Sequence, residues 1–385
     1  MPFIEQLLNG ENVEWKPLGE VAELKRGKVI SKVFMEENKG VYPVYSSQTA
    51  NNGEIGKIKT YDFNQEAITW TTDGANAGTV FYRKGKFSIT NVCGLIKISN
   101  DNLLSYKFLY YWLSVTTKEY VNTGMGNPKL MSNQVKRILI PLPPLSVQHK
   151  IVEILDKFTA LEAELEAELD CRKRQYEYYR NQLLSFDILN KGRQKLNDVK
   201  VMTLGEIAKY SSTRIKSSCL CETSFVGVDN LLQDRKGKTI STHVPTEGTF
   251  AEYQVGDILI GNIRPYLKKI WYADNSGGAS GDVLVIHLTN EQIMSRYLYQ
   301  VLADDKFFSY NMQHAKGAKM PRGNKQKIME YKIPLPPLSV QREIVEILDK
   351  FDTLCNSISE GLPTEIELRR KQYEYYRNQL LTFAQ

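Results

Sequence analysis

The sequence has no apolar run long enough to cross a membrane. Its longest apolar stretches, Val283–Ile286 and Ile138–Ile140, are strand-sized, whereas a spanning helix needs about 18 to 20 apolar residues. Cysteine is scarce, with five irregularly spaced residues among 385, which argues against a disulfide framework. The first ten residues show no basic region followed by an apolar core, so no secretory signal is visible. These absences predict a cytoplasmic protein that does not contact a membrane.

Motifs for catalysis and for metal or cofactor binding are also absent from the sequence. The four histidines stand in no metal-ligand spacing, and Cys219-Leu220-Cys221 is too short to be half of a zinc site. No GxxxxGK[ST] phosphate loop occurs. We therefore expect no catalytic, cofactor-binding or metal-binding residue, and we do not expect an enzyme.

An internal repeat organises the chain. Residues 141–158 read PLPPLSVQHKIVEILDKF and residues 334–351 read PLPPLSVQREIVEILDKF, which is 16 identities in 18 positions. A second block, RKRQYEYYRNQLLSF at 172–186, returns as RRKQYEYYRNQLLTF at 369–383. The chain is therefore two tandem copies of one unit, each with a divergent part followed by a nearly invariant part.

The charges follow the same division. Residues 15–140 carry a net charge of +7 and residues 199–333 carry +5, whereas the repeated segments 141–186 and 334–385 carry −2 each. A positive surface confined to particular domains is expected of a protein that binds a polyanion. The predicted domains are an N-terminal arm (1–14), a first basic domain (15–140), a central helix with its linker (141–198), a second basic domain (199–333) and a distal helix (334–385).

The repeated segments have the apolar spacing of long amphipathic helices. The prolines of the PLPP run exclude helix, Ser146 and Ser339 are the expected N-caps, and apolar residues then recur every three or four positions as far as residue 186. This pattern predicts a helix of roughly 60 Å, which needs a partner because its apolar stripe is narrow. The predicted coiled-coil interface consists of Leu155, Phe158, Leu161, Leu165, Tyr176, Leu183, Leu348, Phe351, Leu354, Ile358, Tyr373 and Leu380.

The second copy contains four extra residues, Gly361-Leu362-Pro363-Thr364. Glycine followed by proline predicts a kink or an interruption of the second helix. Four residues are also about one helical turn, so the apolar stripe could resume on the same face. The sequence leaves open whether this segment bulges out or lengthens the helix.

The two basic segments have the mixed pattern of α+β domains. In the first, we predict strands over Ala67–Thr72, Thr79–Tyr82 and Phe87–Thr90, with a turn at 83–86. In the second, we predict strands over Asp257–Ile260, Lys269–Tyr272 and Val283–Leu288. One helix-like stretch follows in each segment, near Tyr106–Val121 and near Met294–Met312.

Two stretches have a composition suited to nucleic acid. His314–Lys332 holds six basic residues against one acidic residue, and Lys and Arg hold phosphates or read guanine. Tyr45–Asn52 is rich in amides, and Gln and Asn can read adenine. The DNA-binding candidates are Ser46, Ser47, Gln48, Asn51, Asn52, Thr72, Arg83, Lys84, Arg264, Tyr266, Lys268, Lys316, Lys319, Arg322 and Lys325.

As a whole, the pattern resembles the specificity subunit of a bacterial Type I restriction–modification system. The resemblance rests on two variable basic domains that alternate with segments of the form PLPPLxxQxxIVxILDxF and QYEYYRNQLLxF. The segments Trp15–Glu20, Leu204–Ala208 and Asp257–Lys269 are also typical of this family. The resemblance extends over essentially the whole chain.

The resemblance implies both a fold and a function. The implied fold is α+β, with two α/β target recognition domains joined by two long antiparallel helices that form a coiled coil, in a pseudo-twofold tandem repeat. Each domain is expected to read one half of a bipartite site in double-stranded DNA. The expected partners are two modification subunits, which carry S-adenosylmethionine and methylate adenine, and restriction subunits. This chain is then a non-catalytic subunit without a cofactor.

Two alternatives from other classes stay open at this point. One is a coiled-coil scaffold unrelated to restriction–modification, whose basic domains bind RNA or acidic proteins. The other is a self-contained methyltransferase or nuclease, which the missing cofactor and metal motifs disfavour. Neither explains the near-perfect duplication as well. We also expect the apolar start, Ile4–Leu8, to pack near Phe383.

Overall fold

The chain folds into two compact units, each built around one basic segment. The computed structural model describes residues 3–124, 126–185, 199–356 and 360–384. The first unit comprises Met1–Glu164 with Glu367–Gln385, and the second comprises Leu165–Ile366. Each unit therefore contains part of both repeated segments. Among the described residues, no helix combines the length and the apolar character that a membrane crossing requires.

The first unit is centred on a six-stranded sheet in the order β2-β7-β5-β6-β3-β4. All of its neighbouring strands are antiparallel except β3 and β6. A separate two-stranded sheet pairs β1 with β8. The strands of this unit are β1 Glu14–Pro17, β2 Ala22–Arg26, β3 Lys39–Tyr45, β4 Glu54–Ile58, β5 Phe63–Thr71, β6 Val80–Ile89, β7 Cys93–Ile98 and β8 Leu139–Leu142.

The turn predicted at 83–86 is wrong, because these residues lie in the middle of β6. Arg83, Lys84 and Gly85 pair in unbroken register with residues 65–67 of β5. The charged and glycine residues looked like a turn, but cross-strand pairing overrides local preference in a sheet. The turn of this hairpin falls instead between β5 and β6, at residues 72–79.

Short helices cover the first unit, and α4 packs against the sheet. The helix predicted near Tyr106–Val121 is confirmed as α4 followed by a 3₁₀ turn, with Ser105 as its N-cap. The helices are α1 Phe3–Leu8, α2 Leu18–Val21, α3 Lys32–Glu37, α4 Tyr106–Thr116 and α5 Ser132–Val135, with 3₁₀ turns at Ala50–Gly53 and Thr117–Tyr120.

The second unit has two four-stranded sheets, in the orders β10-β17-β14-β15 and β11-β13-β16-β12, and a two-stranded pair, β18-β9. The strands predicted around residues 257–260, 269–272 and 283–288 are confirmed as β14, β15 and β17. The strands are β9 Lys200–Thr203, β10 Ala208–Tyr210, β11 Arg214–Lys216, β12 Phe225–Val226, β13 Thr249–Tyr253, β14 Ile258–Gly261, β15 Ile270–Tyr272, β16 Gly277–Ala279, β17 Val283–Leu288 and β18 Lys332–Leu335.

The single helix predicted near Met294–Met312 is two helices in the structure. The first ends at Leu302 with Ala303 as its C-cap, and Asp304 caps the second by accepting a hydrogen bond from the Lys306 amide at 2.8 Å. The helices of this unit's basic segment are α7 Leu204–Ile207, α8 Ser295–Leu302, α9 Asp305–Gln313 and α10 Lys325–Met329, with 3₁₀ turns at Ser217–Cys219 and Pro265–Leu267.

The repeated segments form long helices, as predicted. α6 spans Leu145–Leu183, 39 residues, which is about 58 Å. Its copy is divided into α11, Leu338–Asn356, and α12, Leu362–Leu380. The predicted N-caps Ser146 and Ser339 are wrong, because α6 and α11 begin one residue earlier. The carbonyl oxygens of the preceding prolines, Pro144 and Pro337, accept the first helical hydrogen bonds.

The predicted interruption of the second helix is confirmed, and Gly361 explains it. Gly361 adopts a left-handed backbone with φ of +90°. A Cβ at this position would lie 2.5 Å from the Thr353 carbonyl oxygen and 2.7 Å from that of Leu354. Only glycine fits, and α12 begins at the next residue, Leu362. Residues 357–359, and with them the predicted contact Ile358, lie outside the described residues.

The two repeated segments contact each other within each unit. In the first unit, Phe158 stacks on Tyr376 at 5.4 Å and Glu162 pairs with Arg370, so residue numbers rise along α6 as they fall along α12. The helices of this pair are therefore antiparallel. In the second unit, the rings of Tyr176 and Tyr179 lie 6.0 and 5.6 Å from that of Phe351.

The predicted interface residues lie at different depths. Leu155, Tyr176, Leu348 and Leu380 are buried. The others are half-buried, namely Phe158, Leu161, Leu165, Leu183, Phe351, Leu354 and Tyr373. Leu155 and Leu348 also belong to the apolar cores of their units, so the repeated helices pack on their domains as well as on each other.

A buried glutamine fixes the start of each repeated helix. Gln148 is fully buried; its amide donates to the carbonyl oxygens of Leu103 and Pro143 at 2.9 Å and accepts from the Ser105 amide at 2.9 Å. These contacts tie the proline-rich elbow to the loop that begins α4. Only its place in the repeat distinguishes this residue in the sequence.

Gln341 makes the same three contacts in the second unit. It is fully buried, donates to Gln292 and Pro336, and accepts from the Met294 amide at 2.8 Å. We call Gln148 and Gln341 the elbow glutamines. A repeated aspartate adds a second contact about two turns further on. Asp156 accepts from Tyr111 at 2.7 Å, and its counterpart Asp349 accepts from Gln300 at 2.7 Å and from Arg296 at 2.9 Å.

The N-terminal arm packs near Phe383, as predicted. Ile4 is buried in the apolar cluster that also contains Leu380 and Phe383. Trp15 contacts the Phe383 ring at 6.5 Å, and its indole donates to the Ala384 carbonyl oxygen at 3.2 Å. The beginning and end of the chain therefore share one core within the first unit.

The elbow glutamines are predicted to be essential for stability. Gln148→Ala leaves the Leu103 and Pro143 carbonyl oxygens and the Ser105 amide without their side-chain partner and should lower the free energy of unfolding by about 1–3 kcal/mol. Gln341→Ala should act in the same way. The control is His149→Ala, at the exposed neighbouring position. Urea unfolding followed by circular dichroism measures the difference, and equal midpoints for Gln148→Ala and His149→Ala would contradict the prediction.

The arm is predicted to stabilise the first unit through Ile4. Ile4→Ala removes a fully buried side chain and should cost about 2–5 kcal/mol. Glu5→Ala, at the exposed neighbouring position, should change stability by less than about 0.5 kcal/mol. Melting curves of the two variants test this expectation, which fails if both melt like the unaltered chain.

Candidate nucleic-acid interface

Two basic loops of the second unit, distant in sequence, lie side by side. One follows β14 and carries Arg264, Tyr266 and Lys268; the other, residues 314–324, joins α9 to α10. The Arg264 amide donates to the Pro321 carbonyl oxygen at 2.7 Å, and the Gly323 amide donates to that of Asn262 at 3.1 Å. The structure thereby joins two groups of candidates that the sequence had placed 50 residues apart.

The second loop is a hairpin with its basic side chains exposed. Lys316 and Arg322 exchange backbone hydrogen bonds of 2.9 and 2.8 Å, and we call residues 316–322 the basic hairpin. Gly317 adopts a φ of +100° that a side chain would strain. Lys316, Lys319, Arg322 and Lys325 are all exposed. The hairpin thus offers positive charge on a defined backbone.

Two of these basic residues are held in ion pairs. Lys268 pairs with Asp305 at 2.8 Å, and Arg322 pairs with Asp282 at 3.2 Å. Tyr266 and Met320 are half exposed, at 50% and 52%, so aromatic and apolar surface lies among the charges. Such a mixture suits contact with both the backbone and the bases of a nucleic acid.

A groove of about 510 Å³ opens beside the two loops. Arg264, Leu267 and Met320 of the two loops line it, together with Asp282. Further lining residues come from the segments 225–230 and 239–245. Its lining mixes charged, amide, hydroxyl and apolar side chains, as expected for a surface that distinguishes one polar ligand from another.

The first unit builds the same hairpin, which the sequence analysis did not identify. Asn122 and Lys129 exchange backbone hydrogen bonds of 2.8 and 3.0 Å, and we call residues 122–124 and 126–129 the first-unit hairpin. The Gly74 amide donates to the Pro128 carbonyl oxygen at 3.0 Å, and the Leu130 amide donates to that of Thr72 at 2.9 Å. These are the contacts that Arg264 and Gly323 make in the second unit. The repeat offset of 193 residues, applied to the basic hairpin, points to this segment.

The amide-rich stretch of the first unit forms the loop between β3 and β4. Asn51 and Asn52 are exposed and left-handed, with φ of 50° and 52°. Gln48 turns its amide back to the Glu54 carbonyl oxygen at 2.5 Å, and Ser46 accepts from the Thr90 hydroxyl at 2.9 Å. Ser47 is half-buried. Asn51 and Asn52 are thus the members of this stretch most available to a ligand.

Two candidates of the first unit lie inside the domain, so the prediction that they contact DNA is corrected. Thr72 is fully buried and donates to Asp73 at 2.6 Å. Arg83 is 3% exposed; its guanidinium lies 3.6 Å from the Tyr45 ring centre and donates to the Asn52 carbonyl oxygen at 2.7 Å. Burial lowers the pKa of this guanidinium.

Strand pairing explains the difference between Arg83 and Lys84, which are adjacent in sequence. Successive side chains of a strand point to opposite faces, so β6 turns Arg83 inward and leaves Lys84 exposed. Arg83 supports the turn that carries Asn51 and Asn52, and Lys84 remains a surface candidate. Among the residues for which coordinates are described, no group of three or more His, Cys, Asp or Glu side chains could hold a metal ion.

Comparison with known proteins agrees with this arrangement. A family model for the Type I restriction modification DNA specificity domain matches residues 10–170 and 197–368. The specificity subunit of the Escherichia coli Type I restriction enzyme EcoR124I/EcoR124II is 32% identical over 416 residues, covering 100% of this chain and 97% of the relative. A Type I specificity subunit of Mycoplasma pneumoniae is 31% identical, covering 95% of this chain and 96% of the relative.

The fold is shared with a solved structure. The S subunit of a Type I restriction–modification system from M. genitalium superposes with a TM-score of 0.64 at 18% sequence identity, covering 98% of each chain. This likeness confirms the predicted fold class. The family match includes both basic segments, most of α6, all of α11 and the beginning of α12. The chain therefore belongs to the Type I restriction–modification DNA specificity family, as its sequence resemblance indicated, and it is a DNA-recognition subunit rather than an enzyme.

Proposed function

We propose that each unit of this subunit reads one half of a bipartite, asymmetric site in double-stranded DNA. The observation that carries the proposal is the hairpin frame, which is built twice from the same backbone hydrogen bonds but carries different side chains. A shared frame holds both units on the same kind of backbone, while different side chains select different bases. Joining two readers in one chain multiplies their selectivity.

The repeated helices present binding surfaces for two copies of one partner. Tyr178 and Tyr375 occupy matching positions in the repeat and are exposed to nearly the same extent, 61% and 62%. The chain therefore offers one aromatic surface twice. We assign these surfaces to two modification subunits, which bring S-adenosylmethionine and methylate adenine in the site. Restriction subunits complete the assembly, and the whole acts in the cytoplasm, where bacterial DNA lies.

The alternative of a scaffold unrelated to restriction–modification has less support. It leaves the ligand of the basic domains unspecified, whereas the family match covers both domains together with most of α6 and all of α11. The duplicated frame also favours a ligand with a repeated backbone and variable chemistry, which describes duplex DNA.

The proposed function is tested by mapping methylated adenines in a bacterial genome. The full chain is co-expressed with its modification partner in a host that lacks other adenine methylation. We expect one motif, with two defined halves separated by a constant number of unspecified base pairs. Methylation at a single continuous motif, or none above the level of the partner alone, would contradict the proposal.

The basic hairpin is predicted to contact phosphates. The double substitution Lys316→Ala and Lys319→Ala should reduce the slope of log Kd against log salt by about two and weaken all DNA sequences alike. The control is Lys209→Ala with Lys216→Ala, which removes two exposed lysines of β10 and β11. Fluorescence anisotropy of the intact complex at several salt concentrations measures the slope, and equal slopes for both variants would refute the assignment.

A further inference from the structure

Arg264 holds a backbone conformation that residues with a side chain rarely adopt. Its φ is 54° and its ψ is 63°, in the left-handed region. A single 3₁₀ turn, Pro265–Leu267, follows, and Lys268 beyond it is left-handed as well, with φ of 50°. Non-glycine residues in this region cluster at functional sites, where surrounding structure holds them in place.

The surrounding structure holds this turn on both sides. The Arg264 amide is fixed to the Pro321 carbonyl oxygen at 2.7 Å. On the opposite side, the amides of Asp234 and Arg235 donate to the carbonyl oxygens of Leu267 and Lys268 at 3.0 Å each. The Arg264 side chain therefore projects from a backbone with little freedom to move, which favours directional hydrogen bonding.

Arg264 is also uncommitted, unlike its basic neighbours. Lys268 and Arg322 are held in ion pairs, and the Lys269 ammonium donates to the Val228 carbonyl oxygen at 2.6 Å. Within the described ranges, the Arg264 guanidinium makes no hydrogen bond or ion pair. It is half-buried and lines the 510 Å³ groove. All of its donors are thus available to a ligand that enters the groove.

In the first unit, a glycine occupies the position that matches Arg264. Gly74 makes the matching hydrogen bond to Pro128 and is left-handed with φ of +95°. The frame therefore needs no side chain here, and glycine satisfies its backbone without strain. A group that only positions the duplex would be useful in both units. A group present in one unit alone is suited to selecting a sequence.

We propose that Arg264 reads a guanine in the half-site bound by the second unit. A guanidinium donates two parallel hydrogen bonds to the O6 and N7 atoms of guanine in the major groove, which is the commonest specific contact between a side chain and a base. This inference rests on the proposed function and deepens it, because it names one base of one half-site and the residue that selects it.

The test compares the methylated motif of the unaltered complex with those of Arg264→Gly and Arg264→Lys. Arg264→Gly introduces the residue that the first unit has at the matching position. Glycine adopts this left-handed backbone without strain, so the protein should melt at the same temperature or higher. Its motif should accept other bases at one guanine of one half-site, with discrimination there falling by roughly tenfold or more. Arg264→Lys, which keeps the charge but not the two-pronged geometry, should relax the same position.

Asp234→Gly is the matched control. Asp234 is also left-handed, with φ of 54°, and is exposed in the same unit; the amide that supports the turn is kept. This variant should leave the motif unchanged.

The inference is overturned if the unaltered motif has no guanine in one half, or if Arg264→Gly keeps the motif intact. A uniform loss of methylation with the guanine still required would also overturn it, because that result describes a phosphate contact. If the unaltered complex methylates no two-part motif, the proposed function itself fails, and this inference fails with it.

Discussion

The buried elbow glutamines are the contacts on which the architecture of each unit depends. Chain connectivity alone does not determine which face of its domain a helix packs against when it follows a proline run. Gln148 determines this face by bonding two carbonyl oxygens and one amide where the elbow meets the domain. Because leaving such groups unpaired is costly, the elbow has one favourable docking position. Gln341 repeats the solution in the second unit, and the paired aspartates Asp156 and Asp349 align the next part of each helix.

This docking gives a physical reason for the nearly invariant repeat. The elbow and the helix must fit both a domain and the other repeated segment, and the packed contacts of Leu155 and Leu348 leave little room for change. The basic segments have fewer shared constraints. Only the backbone bonds of the hairpins must be preserved, so side chains at their tips are free to differ.

Basic residues in these segments either support the fold or remain available to a ligand. The residue type alone does not show which of the two roles applies. Arg83 is buried and holds the loop that carries Asn51 and Asn52. Among the residues that the structure describes, the Arg264 side chain has no hydrogen-bond or ion-pair partner, and in the first unit glycine occupies the matching position. The same guanidinium group is a structural support in one unit and an available donor in the other.

Features that depend on local chemistry can be predicted from the sequence. The duplication, the long helices and the interruption at Gly361 follow from periodicity and from the backbone limits of proline and glycine. Which polar residues face outward depends on long-range pairing. The inward turn of Arg83, the burial of Thr72, the first-unit hairpin and the meeting of Arg264 with the basic hairpin all depend on pairings between residues far apart in the chain. Composition cannot report such pairings, because exposure is a property of the partner strand or loop as much as of the residue itself.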